Sequence, residues 1–213
     1  MHLTRRNVGK KWPVKRKGTK YVIVPSHNHQ NGIPLLIVMR DILKIVNTRR
    51  ELKRILHEKE IMINKRVVKE ENRQIQLFDT ISLNKINTHY RLIIGENRKF
   101  LLEEISEKEA EKKICKIISR KKLKGNKTQI NLNDGRNVLN ESKAKIGDSI
   151  ELNLNSGKIE RIIEIKEKAK VLVIGGKHFG DKGEIIKIEN EKALVRSGEK
   201  EYETKISELM AVG

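Results

Sequence analysis

The sequence predicts an α+β protein of several small domains, and three observations support that prediction. Apolar residues recur at helical spacing between Leu35 and Leu56, which is typical of helices that pack one face on a core. From Tyr90 onward, apolar and polar residues alternate in short runs separated by turn residues, as in β-strands. Lys and Arg outnumber Asp and Glu by 47 to 28 in 213 residues, which gives a formal net charge of +19.

We expect four segments from these patterns. They are a basic N-terminal arm over residues 1–32, a helix-and-sheet domain over 33–95, a central β-rich domain over 96–168 and a C-terminal β unit over 169–213.

The charge surplus limits the kinds of partner. Such an excess repels itself in the compact state and needs a strongly anionic partner, so nucleic acid is the first candidate and a membrane surface the second. No apolar run approaches the roughly 18 residues that span a bilayer, and residues 1–18 lack the apolar region of a secretory signal. We therefore predict no membrane partner.

Cysteine and aromatic content exclude further classes. A single cysteine, Cys115, excludes an intramolecular disulfide and a cysteine-clustered zinc site, and it fits a reducing cytoplasm. With three Phe, three Tyr and one Trp, an extended platform for base stacking is not expected. We predict no metal, no cofactor and no small-molecule substrate, and contacts that go mainly to phosphates and sugars.

A basic segment opens the chain. Residues 1–20 contain no acid, and their apolar content is too low to fold alone, so we expect an arm that is flexible or is ordered by RNA. Trp12 must dock on protein or on a base to bury its ring. We count it as a candidate contact together with the basic residues of the arm, which are Arg5, Arg6, Lys10, Lys11, Lys15, Arg16, Lys17 and Lys20.

Two short helices are predicted next. Pro34 fits the first turn of one helix, whose apolar positions continue to Val46 before Asn47 ends it. The second helix opens with Thr48 and Glu51, which form a capping box.

The second helix has an apolar side and a basic side. At about 100° per residue, Leu52, Ile55 and Leu56 share one arc. The opposite arc has acids only near its edges and consists of Arg49, Arg50, Lys53, Arg54 and His57. Such a helix sits on a core and faces an anionic partner; the alternative is an ordinary solvated surface.

A hairpin with a basic tip follows, because the apolar runs Ile61–Ile63 and Val67–Val68 flank Asn64, Lys65 and Arg66. We assign the cations of the helix arc to phosphates of folded RNA, whose A-form major groove is too narrow for side chains. Those cations are Arg49, Arg50, Lys53 and Arg54, and Arg40, Lys65 and Arg66 extend the groove.

The sequence predicts that the middle of the chain consists of strands joined by tight turns. Ser106 and Glu109 form a second capping box, and Asp134 with Gly135 indicates a hairpin turn. A basic loop precedes that turn, and direct RNA contact and a structural spacer remain alternatives for this domain. Its candidate contacts are Lys121, Lys122, Lys124 and Lys127.

The last segment consists of short strands that suit a small barrel. Four glycines between Gly175 and Gly183 permit close backbone approach, so Lys177, His178 and Lys182 could hold a phosphate. A nucleotide-binding loop is not predicted, because no Gly-Lys-Ser/Thr sequence and no following helix pattern are present.

The same residues resemble known RNA-binding modules. Asn47–Glu51, together with the strand Ile61–Asn64, is similar to the alpha-L RNA-binding domain, and Gly176–Ile186 resembles a KOW motif. Between them, Gly125–Asn137 and Lys145–Ser149 are similar to the central domain of the archaeal and eukaryotic small-subunit ribosomal protein S4e family. The opening of the chain also looks like the start of that family, through His2–Arg6, Trp12–Pro13 and Arg16–Lys20.

The resemblance covers nearly the whole chain in the domain order of that family. It implies a cytoplasmic, noncatalytic component of the small ribosomal subunit, with small-subunit ribosomal RNA and neighbouring ribosomal proteins as partners. It also implies an αL-type domain, a central β domain and a C-terminal SH3-like barrel. Lys59 and Lys65 stand where the family usually has glycine, and each adds a charge that phosphate attracts.

Two other functions are weighed against this reading. An RNA-modifying enzyme anchored by the αL domain would need a larger second domain with a nucleophile or carboxylate pocket, and the residues after Leu83 show no such constellation. A transcription factor that carries a KOW motif would need a polymerase-binding domain, for which we find no pattern.

Overall fold

Antiparallel strands carry most of the fold, and the helices are few and short. The computed structural model describes residues 2–27, 31–124, 127–139, 144–198 and 200–213. Two compact units divide the chain, Met1–Glu111 and Lys112–Gly213. Gly125 and Asn126, at the tip of the predicted basic loop, lie outside the described residues. No helix in the described ranges is long and apolar enough to cross a membrane.

The first unit contains a five-stranded sheet and two smaller strand pairs. The pairs are β1-β2 and β3-β6, and the sheet has the order β5-β4-β7-β8-β9. The strands are β1 (Leu3–Thr4), β2 (Tyr21–Val22), β3 (Gly32–Pro34), β4 (Ile61–Ile63), β5 (Arg66–Val67), β6 (Gln74–Gln76), β7 (Thr80–Leu83), β8 (Thr88–Ile94) and β9 (Phe100–Ile105).

The first predicted helix is shorter than the sequence pattern suggests. Helix α1 (Leu35–Ile37) continues only as a π-helical turn, Val38–Ile42. Lys44 then adopts a positive φ of 57°, and the N–H groups of Ile45 and Val46 turn back to the carbonyl of Met39. Val46 is therefore buried, but it lies in an irregular turn and not in a helix. The prediction that the first helix extends to Asn47 is wrong.

Helix α2 (Arg49–His57) forms as predicted and is closed at both ends. The Thr48 hydroxyl accepts the Glu51 N–H at 3.3 Å, and the Glu51 carboxylate accepts the Asn47 N–H at 2.8 Å. At the other end Lys59 has φ 58°, and its N–H and that of Glu60 return to the carbonyls of Leu56 and Ile55 in a Schellman motif. The buried side of the helix consists of Leu52 and Leu56.

The β4–β5 hairpin turns on Asn64 and Lys65, whose φ angles are 51° and 60°. These values belong to a tight two-residue turn of the I′ kind. The buried Asn64 side chain donates from Nδ2 to the Asp79 carboxylate at 2.7 Å, and its Oδ1 accepts the Thr80 N–H at 3.1 Å. These bonds fix the turn on the sheet. The lysines at the usual glycine positions thus adopt the left-handed backbone that glycine favours.

The N-terminal segment is folded onto the first unit, which corrects the expectation of a flexible arm. β1 pairs with β2, and Trp12 is only 3% exposed. Its indole N–H donates to the carbonyl of Gly32 at 2.9 Å. A side chain at Gly32 would have its Cβ 2.4 Å from the carbonyl oxygen of Ile75, so only glycine permits this close strand pairing. The segment cannot fold alone, but a distant part of the chain supplies its core.

The second unit contains two five-stranded sheets, each with its own apolar core. Their orders are β12-β11-β10-β13-β14 and β18-β17-β16-β15-β19. A short helix, α3 (Glu107–Ala110), precedes them and carries the predicted capping box. The strands are β10 (Lys112–Lys122), β11 (Thr128–Leu132), β12 (Asn137–Leu139), β13 (Ser149–Asn153), β14 (Ile159–Ile163), β15 (Lys170–Val173), β16 (Lys182–Glu189), β17 (Lys192–Ser197), β18 (Lys200–Lys205) and β19 (Leu209–Ala211).

Asp134 does more than form the predicted hairpin turn. Its carboxylate lies 2.8 Å from the Nζ of Lys113, and the two side chains are 5% and 1% exposed. Burial alone would raise the pKa of Asp134, but the charge and hydrogen bond of Lys113, together with the N–H and charge of Arg136, hold that pKa below its ordinary value. This buried pair ties the turn to β10.

Lys116 joins the two sheets of the second unit. Its buried ammonium donates to the carbonyls of Ile206 and Ser207, each at 2.8 Å, and of Leu209 at 2.5 Å. Burial lowers the pKa of Lys116 to about 8. One side chain of β10 thus satisfies three carbonyls around the start of β19, including two in the 3-10 turn Ile206–Glu208.

Replacement of Lys59 by Gly should stabilise the protein by about 1 kcal/mol, because glycine adopts positive φ without the Cβ penalty. The free energy of unfolding from urea titration measures the change. Lys59→Ala is the matched control, since it removes the charge but keeps a Cβ. An equal gain in both variants would show that charge, not backbone conformation, is responsible.

Asp134→Asn should destabilise the protein by about 3–5 kcal/mol, because it leaves the buried Lys113 ammonium without its counter-charge. Since the folded pKa of Asp134 is depressed, its contribution is present above the unfolded pKa and is lost as pH falls through the folded value. Unfolding titrations at neutral pH and at about pH 3 should therefore show a smaller difference between wild type and variant in acid. A difference that is constant with pH would exclude this ion pair as its source.

Candidate nucleic-acid interface

The predicted basic side of α2 is exposed and opposite its buried leucines. The side chains of Arg49, Lys53 and Arg54 are 63%, 58% and 84% exposed, and Arg50 is exposed beside them. The N-cap at Thr48 sets where the helix begins and so sets this face. The helix presents four cations to solvent while Leu52 fixes it to the core.

Two carboxylates pair with this face. That of Glu58 lies 3.3 Å from the Nε of Arg54, and that of Glu71 lies at the other end. Arg49 donates to it from Nη2 and from Nε, the latter at 2.8 Å, and the Nζ of Lys53 lies 3.9 Å away. Burial alone would raise the pKa of Glu71, but the hydrogen bond from Arg49 and the two positive charges keep that pKa low. Arg49, Lys53 and Arg54 therefore each have an internal carboxylate partner, and within the described residues Arg50 has none.

An open cleft with a volume of about 470 Å³ adjoins the Glu71 end of the face. Its lining consists of Ile23, Val24, Arg49, Glu70, Glu71 and Asn72. The cleft shows that the Arg49–Glu71 pair is reachable from solvent.

The remaining predicted members of the groove have different surroundings. Arg40 is half-buried and donates to its neighbour Asp41 at 2.9 and 3.1 Å, and that hydrogen bond raises the pKa of Arg40. Lys65 lies 3.7 Å from Glu111 at the hairpin tip, whereas Arg66 is exposed in β5. Of these cations, Arg66 is the most open to a new anion.

Arg5 is engaged within the N-terminal segment. Its guanidinium donates to the carbonyl of Thr19 at 2.8 Å, to the Thr19 hydroxyl at 3.0 Å and to the carbonyl of Lys15 at 2.7 Å. These bonds close residues 15–20 into a loop around one cation. Residues that remain exposed on this segment are Arg6, Lys10, Lys15, Arg16, Lys17 and Lys20.

Two residues of the segment face the protein. Trp12 has docked in the core, so its ring is not available to stack on a base, and we remove it from the candidate contacts. Lys11 is half-buried, its carbonyl accepts the Phe100 N–H at 2.8 Å, and burial lowers the pKa of its side chain.

In the second unit, the predicted basic loop lies at the end of the β10–β11 hairpin. Its cations, Lys121, Lys122, Lys124 and Lys127, are all exposed. Between residues 118 and 139 the chain has one acid, Asp134, and it is already paired with Lys113. The outer part of this hairpin is therefore uniformly cationic.

The glycine-rich loop before β16 holds its histidine in a fixed position. The His178 ring stacks on Tyr202 with centroids 3.8 Å apart, and its Nδ1 lies 3.4 Å from Asp181. Lys177 and Lys182 are exposed on either side. Both lysines thus reach solvent, while the imidazole is partly covered.

Sequence reasoning did not identify Glu71, Lys113 or Lys116. Glu71 is 22 residues from Arg49, and no local pattern connects them. Lys113 and Lys116 lie within the apolar strand pattern of β10, and their burial could have been suspected only from that position.

Comparison with known proteins gives a consistent result. A profile of the Ribosomal family S4e matches residues 86–159, and the KOW motif matches residues 167–196. The small ribosomal subunit protein eS4 of Methanocella arvoryzae is 36% identical over 190 residues, which cover 88% of this chain and 80% of the relative. The eS4 protein of Methanothermobacter thermautotrophicus is 34% identical, covering 88% and 78%.

A solved structure agrees with these relatives. The crystal structure of the 30S ribosomal protein S4e from Thermoplasma acidophilum superposes with a TM-score of 0.73 at 27% identity. The match covers 86% of this chain and 95% of that one.

Arg5→Lys should open the loop of residues 15–20, because a single ammonium cannot replace the planar guanidinium fork. We expect faster trypsin cleavage after Lys15, Arg16 and Lys17, measured by mass spectrometry under native conditions. Arg6→Lys is the matched control, since Arg6 is exposed next to it. Equal cleavage rates in wild type and Arg5→Lys would show that the loop does not depend on this side chain.

Proposed function

This chain belongs to the ribosomal family S4e, and from that premise we propose that it binds small-subunit ribosomal RNA through phosphate and shape contacts. It is a structural constituent of the small ribosomal subunit in the cytoplasm, not an enzyme. The observation that carries the proposed mode of binding is the exposed cationic face of α2, set by a closed N-cap and a buried leucine side.

The proposal extends to the architecture of the segments. We propose an N-terminal segment over residues 1–32, an αL-type domain over 33–95, a central domain over 96–168 and an SH3-like barrel over 169–213. A capped cationic helix followed by a tight basic hairpin supports the second assignment. The KOW match and the sheet β18-β17-β16-β15-β19 support the last.

The exposed lysines and arginines of both units would supply the phosphate contacts. Each phosphate that a cation neutralises releases condensed counterions, so binding should be strong at low salt and fall steeply as salt rises. Neighbouring ribosomal proteins are the second class of partner. The alternative of an RNA-modifying enzyme gains no support, since the relatives described above are named as ribosomal proteins.

Sedimentation of a lysate that contains the tagged chain tests the function directly. The chain should comigrate with small ribosomal subunits at moderate salt and dissociate at high salt. Migration as free protein at moderate salt, in a lysate with intact small subunits, would contradict the proposal.

Charge reversal at Arg50 and Lys53 should weaken binding to small-subunit ribosomal RNA. The slope of log affinity against log salt should fall by about one unit for each phosphate contact that is lost. Filter binding over a salt series measures both effects. Lys187→Glu combined with Lys192→Glu, two exposed lysines outside the proposed contacts, is the control for net charge. Affinity and slope that match this control would remove α2 from the interface.

Glu71→Gln should have the opposite effect and strengthen RNA binding. The neutral amide no longer competes with phosphate for Arg49 and Lys53, so both cations become available. The same salt series should show a higher affinity and a steeper slope. Glu70→Gln, one residue away, controls for the loss of one negative charge. A gain that is equal in both variants would indicate a long-range charge effect and not release of Arg49.

A further inference from the structure

One edge of the main sheet in the first unit has outward backbone groups without a strand partner. β9 is the last strand in the order β5-β4-β7-β8-β9. The Gly95 N–H donates to the carbonyl of Lys99 at 2.9 Å, so this pair bonds inward across the hairpin. The next N–H along the strand is that of Phe100. It points outward and donates to the backbone carbonyl of Lys11.

The direction of these bonds alternates along the strand. Leu101 and Glu103 therefore bond to β8, whereas the N–H and carbonyl groups of Leu102 and Glu104 point away from the sheet. No backbone hydrogen bond within the described residues occupies the outward groups of Leu102 and Glu104. They form a short template on which another strand can pair.

The charged side chains within β9 are both acidic, in a chain with a large excess of bases. Glu103 and Glu104 are exposed in the strand, and Glu107, Glu109 and Glu111 follow in and after α3. The net charge of the whole chain is +19. Leu101 is 49% exposed on the same strand, so the edge also offers an apolar contact.

The charge decides what can pair here. RNA phosphates are repelled by the carboxylates of Glu103 and Glu104. A second copy of the strand would place glutamates against glutamates, which is unfavourable in an antiparallel pair. An extended basic polypeptide matches both the open hydrogen bonds and the charge.

We propose that β9 is a docking edge for an extended basic segment of a neighbouring protein, which adds to the sheet as a sixth strand. The N-terminal segment of this chain already pairs with β9 in this way. The carbonyl of Lys11, in a basic segment, accepts the outward N–H of Phe100. The incoming strand bonds to the backbone of Leu102 and Glu104. Its lysines or arginines lie beside Glu103 on one face of the sheet or beside Glu104 on the other. This is strand addition, in which backbone bonds give affinity and side chains give specificity.

The test uses the full chain and a short synthetic peptide of alternating Lys and Val. Amide hydrogen exchange by NMR should slow at Leu102 and Glu104 when the peptide is added. Leu101 and Glu103, already bonded to β8, should change little. A peptide in which Glu replaces Lys should not bind. Binding of the basic peptide without this alternating protection would overturn the proposal.

Two variants separate the backbone from the charge. Glu104→Pro removes an outward N–H that β8 does not use, so the sheet should tolerate it while peptide affinity falls about tenfold. Glu104→Gln keeps the N–H and should lose less. Equal affinity of the two variants would overturn the backbone pairing.

The proposal does not rest on RNA binding, and the two can fail separately. Glu104→Pro should leave affinity for small-subunit ribosomal RNA unchanged, and Arg50→Glu should leave peptide affinity unchanged. Loss of both activities in either single variant would contradict the separation of the two surfaces.

Discussion

The free-energy cost of removing a positive charge from water determines where the cations of this protein lie. A chain with a net charge of +19 can bury a lysine only where other groups replace its hydration. Lys113 meets this condition with the carboxylate of Asp134, and Lys116 meets it with three backbone carbonyls. No other lysine or arginine among the described residues is buried. At the surface, the same charge excess that opposes compaction attracts an anionic partner.

Capping interactions at the two ends of α2 determine where those surface charges lie. The N-cap at Thr48 fixes the start of α2, and the left-handed Lys59 ends it in a Schellman motif, so the basic face has a defined length. Glu71 then holds one end of that face with an internal carboxylate, where a phosphate oxygen could take its place. In the interface that we propose, the cationic face is formed without RNA, and Glu71 and Glu58 are the internal anions that phosphates would displace.

Local signals in the sequence identified the local structure. The N-cap at Thr48, the capping box at Ser106 and the turn at Asp134 lie within a few residues of their partners and form as predicted. At Thr48 the return bond differs, because the Glu51 carboxylate accepts the N–H of Asn47. The predicted first helix was too long, because the apolar period to Val46 reports burial and not helical backbone. Docking of Trp12 on Gly32 and pairing of Arg49 with Glu71 depend on residues about twenty positions away, which no period reveals.

Ultraviolet crosslinking of the chain to ribosomal RNA in small subunits, with peptides and nucleotides mapped, tests the central claim most directly. We expect crosslinked peptides from α2 and from the exposed loop of residues 15–20, and none from β9. Crosslinks confined to other surfaces, with α2 unmodified, would contradict the proposed RNA interface.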